Sequence, residues 1–365
     1  MPPRQRVTLV SLAQDLGVSR ATVSNAYNRP DQLSEQLRDR ILTRAAELGF
    51  PGPDPAGRQL RGAKVGAIGV LVNHSLSYAF SDPMMVALLD GLASEMQRDG
   101  YGLLVHAGST GESGAFDPRR ITDASVDAWV VASLADDDPA VAAAQARHRP
   151  MVVLDQPALP GVPLLQIDDA AGTELAADHL LALGHRRIAV LSMPLDSDVR
   201  VGPATLARQH RCRYLVMRSR LAGVRGRLRA AGLDWAEVPV WECAANDQDA
   251  AAAAVTQLLA GPDAGPAEPP TAILAGSDQL ALGALRAARA MAIPVPEQLS
   301  VIGFDDSPLA WHSVPPLTTV AQPIRDRGRQ IGVLVRHLLR GEPTPAQAPT
   351  PVTLVVRAST ARPRA

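Results

Sequence analysis

The sequence predicts a small helical head followed by a large α/β body made of two parallel-sheet subdomains. Three observations carry this expectation. Two short segments with helical apolar spacing are separated by one glycine near the N-terminus, residues 50–55 form a proline- and glycine-rich break, and fully apolar runs alternate with helical patterns from residue 65 onward. At 365 residues the chain has length for two or three domains and a large core. The expected boundaries are a helical head at 1–50 and a linker with a short helix at 51–64. One body subdomain is expected at 65–165 plus 307–323, and the other at 166–306 plus 324–365.

In the head, Leu9, Leu12, Ala13 and Leu16 recur at helical spacing before Gly17, and Ala21, Val23 and Ala26 mark a second short helix. Two helices around a glycine are a helix-turn-helix pattern. Thr8 and Ser19 are placed to cap the two helix starts, because a hydroxyl there accepts an orphan backbone N–H. Arg20, Thr22, Ser24 and Asn25 are expected on the outer face of the second helix. Arginine can read guanine and asparagine can read adenine there, through paired donors and acceptors in a major groove. A third helix begins at Ser34, with Leu37, Ile41, Ala45 and Leu48 on its apolar side and Gly49 at its end. Seven arginines of the head, among them Arg29, Arg38, Arg40 and Arg44, are available for phosphates.

Composition confines that basic character to one end. The whole chain has a formal net charge of -1, as expected for a DNA-reading head on a neutral body. The two cysteines, Cys212 and Cys243, lack metal-ligand spacing and are too few for a disulfide framework, which points to a reducing compartment. The sequence shows no apolar run near the roughly 20 residues of a membrane span and no signal-peptide pattern, so the cytoplasm is expected. In the linker, Asp54 and Pro55 can start a short helix over 56–62. So few residues fold only against a partner. Leu60 on such a helix can wedge into a minor groove, or else dock on the body as a linker leucine.

Within the body, apolar strands are expected at 65–72, 102–105, 128–132, 151–155, 187–191, near 238, at 272–274, 299–304 and 352–356, with helices between them. Ligands of open parallel sheets bind beyond the carboxyl ends of the strands. Those ends carry Asn73 to Asp82, Asp155, Asp168-Asp169, Ser277-Asp278 and Asp305-Asp306, a carboxylate-rich set suited to hydroxyl donors. The carboxylates come from separate strand ends with no histidine at ligand spacing, so no metal is expected. Nor is a cofactor, because Gly66 and Gly69 lie within a strand and form no phosphate-binding fingerprint. No serine sits in a nucleophile elbow, and His179 and His185 flank a helix end, so no catalysis is expected. The basic stretch 197–218 reads as a surface segment, with a lid beside Arg220 and a second DNA-facing patch as the alternatives.

Five stretches carry a family resemblance: TLVSLAQDLGVSRATVSNAYN (8–28), HLLALGHRRI (179–188), SDQLALG (277–283), VIGFDD (301–306) and PPLTTV (315–320). In this order they resemble the LacI/GalR family of bacterial transcription regulators, over Leu9 to about Thr360. The resemblance implies a helix-turn-helix head, a hinge helix, and a body like a periplasmic sugar-binding protein that clamps an effector between its subdomains and dimerises. It places base reading on Arg20, Ala21 and Asn25 and minor-groove entry on Leu60. Thr8, Ser19, Thr22, Asn28 and Arg58 complete the expected DNA contacts. For the effector, it implies Arg220 and Asp278 as paired polar clamps, with Asp155, Asn246 and a ring-packing Phe80. The usual second aromatic position holds Ala244 or Ala245, and aromatics make up only 3% of the chain, so a one-sided ring contact is expected. The expected protein is a dimeric repressor of a palindromic operator, controlled by a small carbohydrate. The alternative is a cytoplasmic solute-binding or sugar-handling protein with an appended helical module.

Overall fold

A computed structural model describes residues 7–50, 52, 64–73, 75–109, 116–259 and 268–364. Two compact units emerge, Met1–Val65 and Gly66–Ala365. The first contains α1 (Leu9–Leu16), α2 (Arg20–Asn28) and α3 (Glu35–Glu47). Thr8 accepts from the backbone of Ser11, Ser19 from Thr22 and Ser34 from Leu37, so each helix starts on a hydroxyl cap. Gly17 takes φ 66° and closes α1 in the left-handed conformation that a side chain would disfavour. Leu12, Ala13, Val23, Ala26, Ile41, Ala45 and Phe50 form the core, and Tyr27 meets Phe50 edge-on. The expected hinge helix, with Arg58 and Leu60, lies outside the described residues.

The second unit begins with a lobe built on five parallel strands in the order β2-β1-β3-β4-β5. Its elements are β1 (Ala67–Val72), α4 (Leu76–Ser81), α5 (Pro83–Met96), β2 (Gly102–Ala107), α6 (Arg119–Thr122), β3 (Ala128–Ala132), α7 (Pro139–Gln145), β4 (Met151–Leu154) and β5 (Leu164–Leu165). The central strands are apolar at every position because helices cover both faces. Two helices begin on an Asp-Pro pair: Asp82 and Asp138 accept backbone N–H groups, while Pro83 and Pro139 need no donor at the first turn.

The other lobe carries seven strands in the order β12-β11-β10-β9-β6-β8-β7, parallel except at the two edges. Along the chain it comprises α8 (Asp169–Ala182), β6 (Ile188–Ser192), β7 (Gly202–Pro203), α9 (Leu206–His210), α10 (Leu215–Ala230), β8 (Val240–Glu242), α11 (Gln248–Leu259), β9 (Ala272–Ala275), α12 (Asp278–Ala290), β10 (Ser300–Asp305), α13 (Pro308–His312) and β11 (Thr318–Ala321). The chain then crosses back to form α14 (Ile324–Leu339) on the first lobe and returns once more as β12 (Thr353–Val355).

The expected split of the body is therefore corrected at its C-terminal part. Segment 307–323 belongs to the seven-stranded lobe, because β11 pairs with β10. Residues 324–339 belong to the five-stranded lobe, because Ile331, Leu334 and Val335 share a core with Ile68, Val70, Leu88 and Leu92. Helix α10 also starts five residues before the expected Arg220, on Leu215.

Glycines let α14 approach α5 closely. A Cβ at Gly328 would collide with the carbonyl of Leu88, and one at Gly91 with the carbonyl of Arg325. Since both obstacles are helix backbone, neither can rotate away. Gly328→Ala is thus expected to cost about 1–3 kcal/mol by overpacking, despite alanine's better helix propensity. Urea unfolding of the two proteins measures it, and equal midpoints would show that the helices separate freely.

Candidate functional site

The outer side of α2 is the candidate nucleic-acid interface. Arg20 and Ala21 are exposed and Thr22 and Asn25 half-buried, and the cap hydroxyl of Ser19 lies 2.8 Å from that of Thr22. Asn25 spends one amide hydrogen on Gln32 at 3.2 Å. Asn28 ends the helix. Ser24 is the correction on this face, since it is buried among the core residues instead of pointing outward. The expected supply of free arginines also shrinks. Arg44 grips Asp15 through two nitrogens, at 2.6 and 3.2 Å, and Arg40 donates to the carbonyl of Leu16 at the end of α1. These two cations hold the helices of the head together.

In the body a cavity of about 440 Å³ lies between the lobes, where the carboxyl ends of their strands face each other. One wall holds Asn73 after β1, Tyr78 and Asp82 around α4, Ser133 after β3, and Asp155 and Gln156 after β4. The other holds Met193 and Asp196 after β6, Tyr214, Val216, Met217 and Arg220 at the start of α10, Asn246, Ser277 and Asp305. Gln322, in the crossing between lobes, completes the ring. Ser133, Asp155 and Asp305 adopt φ of 60°, 62° and 124°, so the backbone turns sharply where strands deliver their side chains to the cavity.

Arg220 sits on that wall almost wholly buried. Its Nε donates to Asp169 at 2.8 Å and its Nη1 to the carbonyl of Gly276 at 2.5 Å, while the guanidinium stacks over the Phe304 ring at 3.7 Å. Asp155 accepts from Ser133 at 3.0 Å and is paired with Arg327. Asn246 donates to the Tyr78 hydroxyl at 2.9 Å and accepts from Ser277 at 2.5 Å, so it joins the lobes across the cavity. Gln156 does the same from the other lobe: its carbonyl accepts from the amide of Val216 at 3.1 Å, a first-turn donor of α10 that has no partner within the helix.

Two expected effector residues are not on this wall. Phe80 is 65% exposed and absent from the cavity lining; on α4 it is Tyr78, about 200° around the helix, that faces inward. Asp278 is buried behind the wall, where it accepts from Thr319 at 2.5 Å and from the amide of Ser307 at 2.7 Å and so secures β11 and the turn into α13. The carboxylate in its expected place is Asp305, directly after the VIGF run at the end of β10. Burial pushes its carboxyl well above the usual range, and burial likewise raises Asp82 and the Tyr78 hydroxyl. The signal for Asp305 was its position at a strand end, and for Tyr78 it was the helical period of 75–82.

The basic stretch 197–218 is in part plain surface, where Arg200, Arg211, Arg213 and Arg218 are exposed, and in part a wall of the cavity, to which Ser197, Val199, Tyr214, Val216 and Met217 contribute. Buried Glu242 accepts from Arg208 at 2.9 and 2.8 Å and from the amide of Leu195 at 3.0 Å. Arg208 in turn holds Asp198 at 2.5 Å. The segment that displays Asp196, Ser197 and Val199 to the cavity is therefore tied down from beneath. Arg213 reaches over to Asp137 of the other lobe.

The comparisons with known proteins agree with this architecture. Residues 177–360 match the family described as periplasmic binding protein-like domain. An HTH-type transcriptional regulator of Mycolicibacterium smegmatis is 41% identical, over 94% of this chain and 92% of its own length. Among solved structures, a complex of the transcriptional regulator CelR with cellobiose is similar at 30% identity and TM-score 0.67, covering 97% of this chain and all of that one. The lac repressor dimer bound to operator and the anti-inducer ONPF is similar at 26% identity and TM-score 0.74, covering 98% and 100%. The chain belongs to the LacI/GalR family of helix-turn-helix transcriptional regulators. It is a DNA-binding regulator with an effector-binding body, which replaces the alternative of a solute binder with an appended module.

The buried carboxyl of Asp278 gives the body a pH signature. Burial pushes it up to about 6, against hydrogen bonds from Thr319 and Ser307 that favour its charged form. A carboxyl raised in the folded state contributes stability that is fully present below its unfolded value near 4 and is lost as the pH rises through about 6. Asp278→Asn removes this titration. The stability of the variant relative to the parent is expected to improve by on the order of 2–3 kcal/mol between about pH 4 and pH 7, on top of a constant packing cost. Urea titrations across that range check it, and a constant gap would place the ionisation at the ordinary value.

Proposed function

We propose that the protein is a repressor that acts as a homodimer on a roughly palindromic operator and is controlled by a carbohydrate bound in the interlobe cavity. The observation that carries this reading is the cavity itself. It is ringed by hydrogen-bonding side chains from both lobes, and the bonds across it, Tyr78 to Asn246 and Gln156 to Val216, join side chains or backbone that a polyhydroxylated ligand would also engage. A ligand preferring one closure shifts the lobes, and by linkage the operator shifts ligand affinity in return. The CelR structure holds cellobiose and the lac repressor structure is an operator-bound dimer, which supports the same two partners here. In this reading Arg220, Asp155 and Asn246 hold the ligand together with Tyr78 and Asp305. Arg20, Ala21 and Asn25 read bases, and Thr8, Ser19, Thr22 and Asn28 steady the head on phosphates. Arg58 and Leu60 belong to the hinge on the resemblance alone.

Two measurements on the full chain test the proposal. Arg20→Ala is expected to cost about 1–3 kcal/mol on the preferred operator and much less on scrambled DNA. Gel-shift titrations of both duplexes would sink base readout if the losses were equal. Arg220→Lys keeps a cation beside Asp169 but loses the guanidinium fork, so it should bind operator as the parent does yet no longer release it on addition of the stabilising sugar. A release curve unchanged from the parent's would remove the arginine from the effector site. Footprints covering one asymmetric half-site at dimer stoichiometry would contradict the two-fold arrangement.

A further inference from the structure

The cavity has an unbalanced charge. Among the described residues, four carboxyl side chains line it, those of Asp82, Asp155, Asp196 and Asp305, against a single cation, Arg220. That cation is already matched by Asp169 at 2.8 Å, and Arg327 behind the wall is matched by Asp155. Asp82 and Asp305 form no ion pair among the described residues. Asp82 accepts the amide of Met85 at 3.2 Å as a helix cap, and Asp305 accepts from Gln322 at 2.7 Å. Asp196 lies 3.9 and 3.7 Å from Arg208 and Arg213, whose nearer partners are Glu242, Asp198 and Asp137. Among the described residues no cation is left over for a phosphate or carboxylate, while hydroxyl and ammonium donors would find acceptors on both walls.

We propose that the cavity is a charge filter, which admits uncharged or amine-bearing polyols and turns away phosphorylated and carboxylated ones. The inference rests on the cavity being the effector site. It adds that the signal read by this regulator is an unphosphorylated compound. Burial raises the carboxyls of Asp305 and Asp82, and a protonated carboxyl adds neither negative nor positive charge, so the filter acts through the lining carboxyls that stay ionised and through the absence of a spare cation among the described residues.

The filter can be read without knowing the ligand. Cys212 and Cys243 are buried and their thiols are pushed up to about 11 and about 12, so they react slowly with external reagents. In the full chain, Ser133→Cys puts a thiol on one wall, and Val199→Cys, at a 45% exposed position on the lining, serves if the first variant folds poorly. Each is modified with cationic aminoethyl and anionic sulfonatoethyl methanethiosulfonate, and the ratio of the two rates is divided by that for 2-mercaptoethanol. Thiolate fraction and access cancel in this quotient. A unit charge ~6 Å away, in a medium between bulk water and protein surface, changes such a ratio about tenfold. The quotient is expected to favour the cation by about tenfold or more and to fall toward one when Asp82→Asn and Asp196→Asn are added. A quotient of one, or one favouring the anion, overturns the filter. A thermal-shift panel of glucose, glucosamine, ribose, cellobiose, glucose 6-phosphate and ribose 5-phosphate separates the two readings. Stabilisation by a phosphate ester beyond that of its parent sugar overturns the filter and leaves the carbohydrate reading standing. A silent panel with the cationic bias intact removes the carbohydrate reading and leaves the filter.

Discussion

A single buried guanidinium constrains how the two lobes can be joined. Arg327, in the second turn of α14, is 1% exposed, and a cation at that depth is tolerated only when its charge is paired; both terminal nitrogens are matched, while the buried Nε has no hydrogen-bond partner among the described residues. Its partners are Asp155 at the end of β4, the carbonyl of Leu165 at the first crossing between lobes, and Gln322 at the second. Gln322 then passes the connection on to Asp305. Beside this chain the first and third crossings pair through their backbones, Thr350 with Gln166 and Asp168. The hinge region is thus a polar core whose members cannot be removed singly without stranding a charge.

That core also explains the composition of the cavity. The strand ends that satisfy Arg327 are the ones that open onto the space between the lobes, so carboxylates needed for the joint stand at the edge of the ligand site. The opposite wall is organised by a second buried pair, Arg220 with Asp169, held flat on Phe304. Between the two pairs the lobes touch through groups that can change partner cheaply: a phenol with an amide, and an amide carbonyl with a helix N–H. Buried ion pairs within each lobe, with exchangeable hydrogen bonds and the solvent-exposed Arg213–Asp137 pair between them, let closure be adjusted while each wall keeps its shape.

Much of this was legible in the sequence. The helix-turn-helix followed from two hydroxyl caps around one glycine, and the sheets from apolar runs too continuous to have a wet face. Local chemistry fixes both, so a single sequence suffices. The site was legible as a location, the strand ends, and less so residue by residue. Asp278 opens α12 just after β9 and Asp305 closes β10, and only the pairing of β10 with β11 decides that Thr319 and Ser307 occupy the first and leave the second facing the cavity. Tyr78 and Phe80 differ by where one turn of helix points. The crossover of α14 was misassigned because its partner, α5, lies more than two hundred residues earlier, and amphipathic spacing identifies a buried face without naming what buries it.

This crossover bears on how the polypeptide reaches its fold as it leaves the ribosome. The five-stranded lobe has all its strands by Leu165, yet one face of its sheet is covered by α14, whose Ile331, Leu334 and Val335 are synthesised near the end. Until then Ile68, Val70, Leu88 and Val130 lack part of their cover, and the early half of the body waits with apolar surface open while the other lobe is made. The lobe that appears first is therefore completed last, and the interval between the two is the window in which the growing chain needs protection from its neighbours.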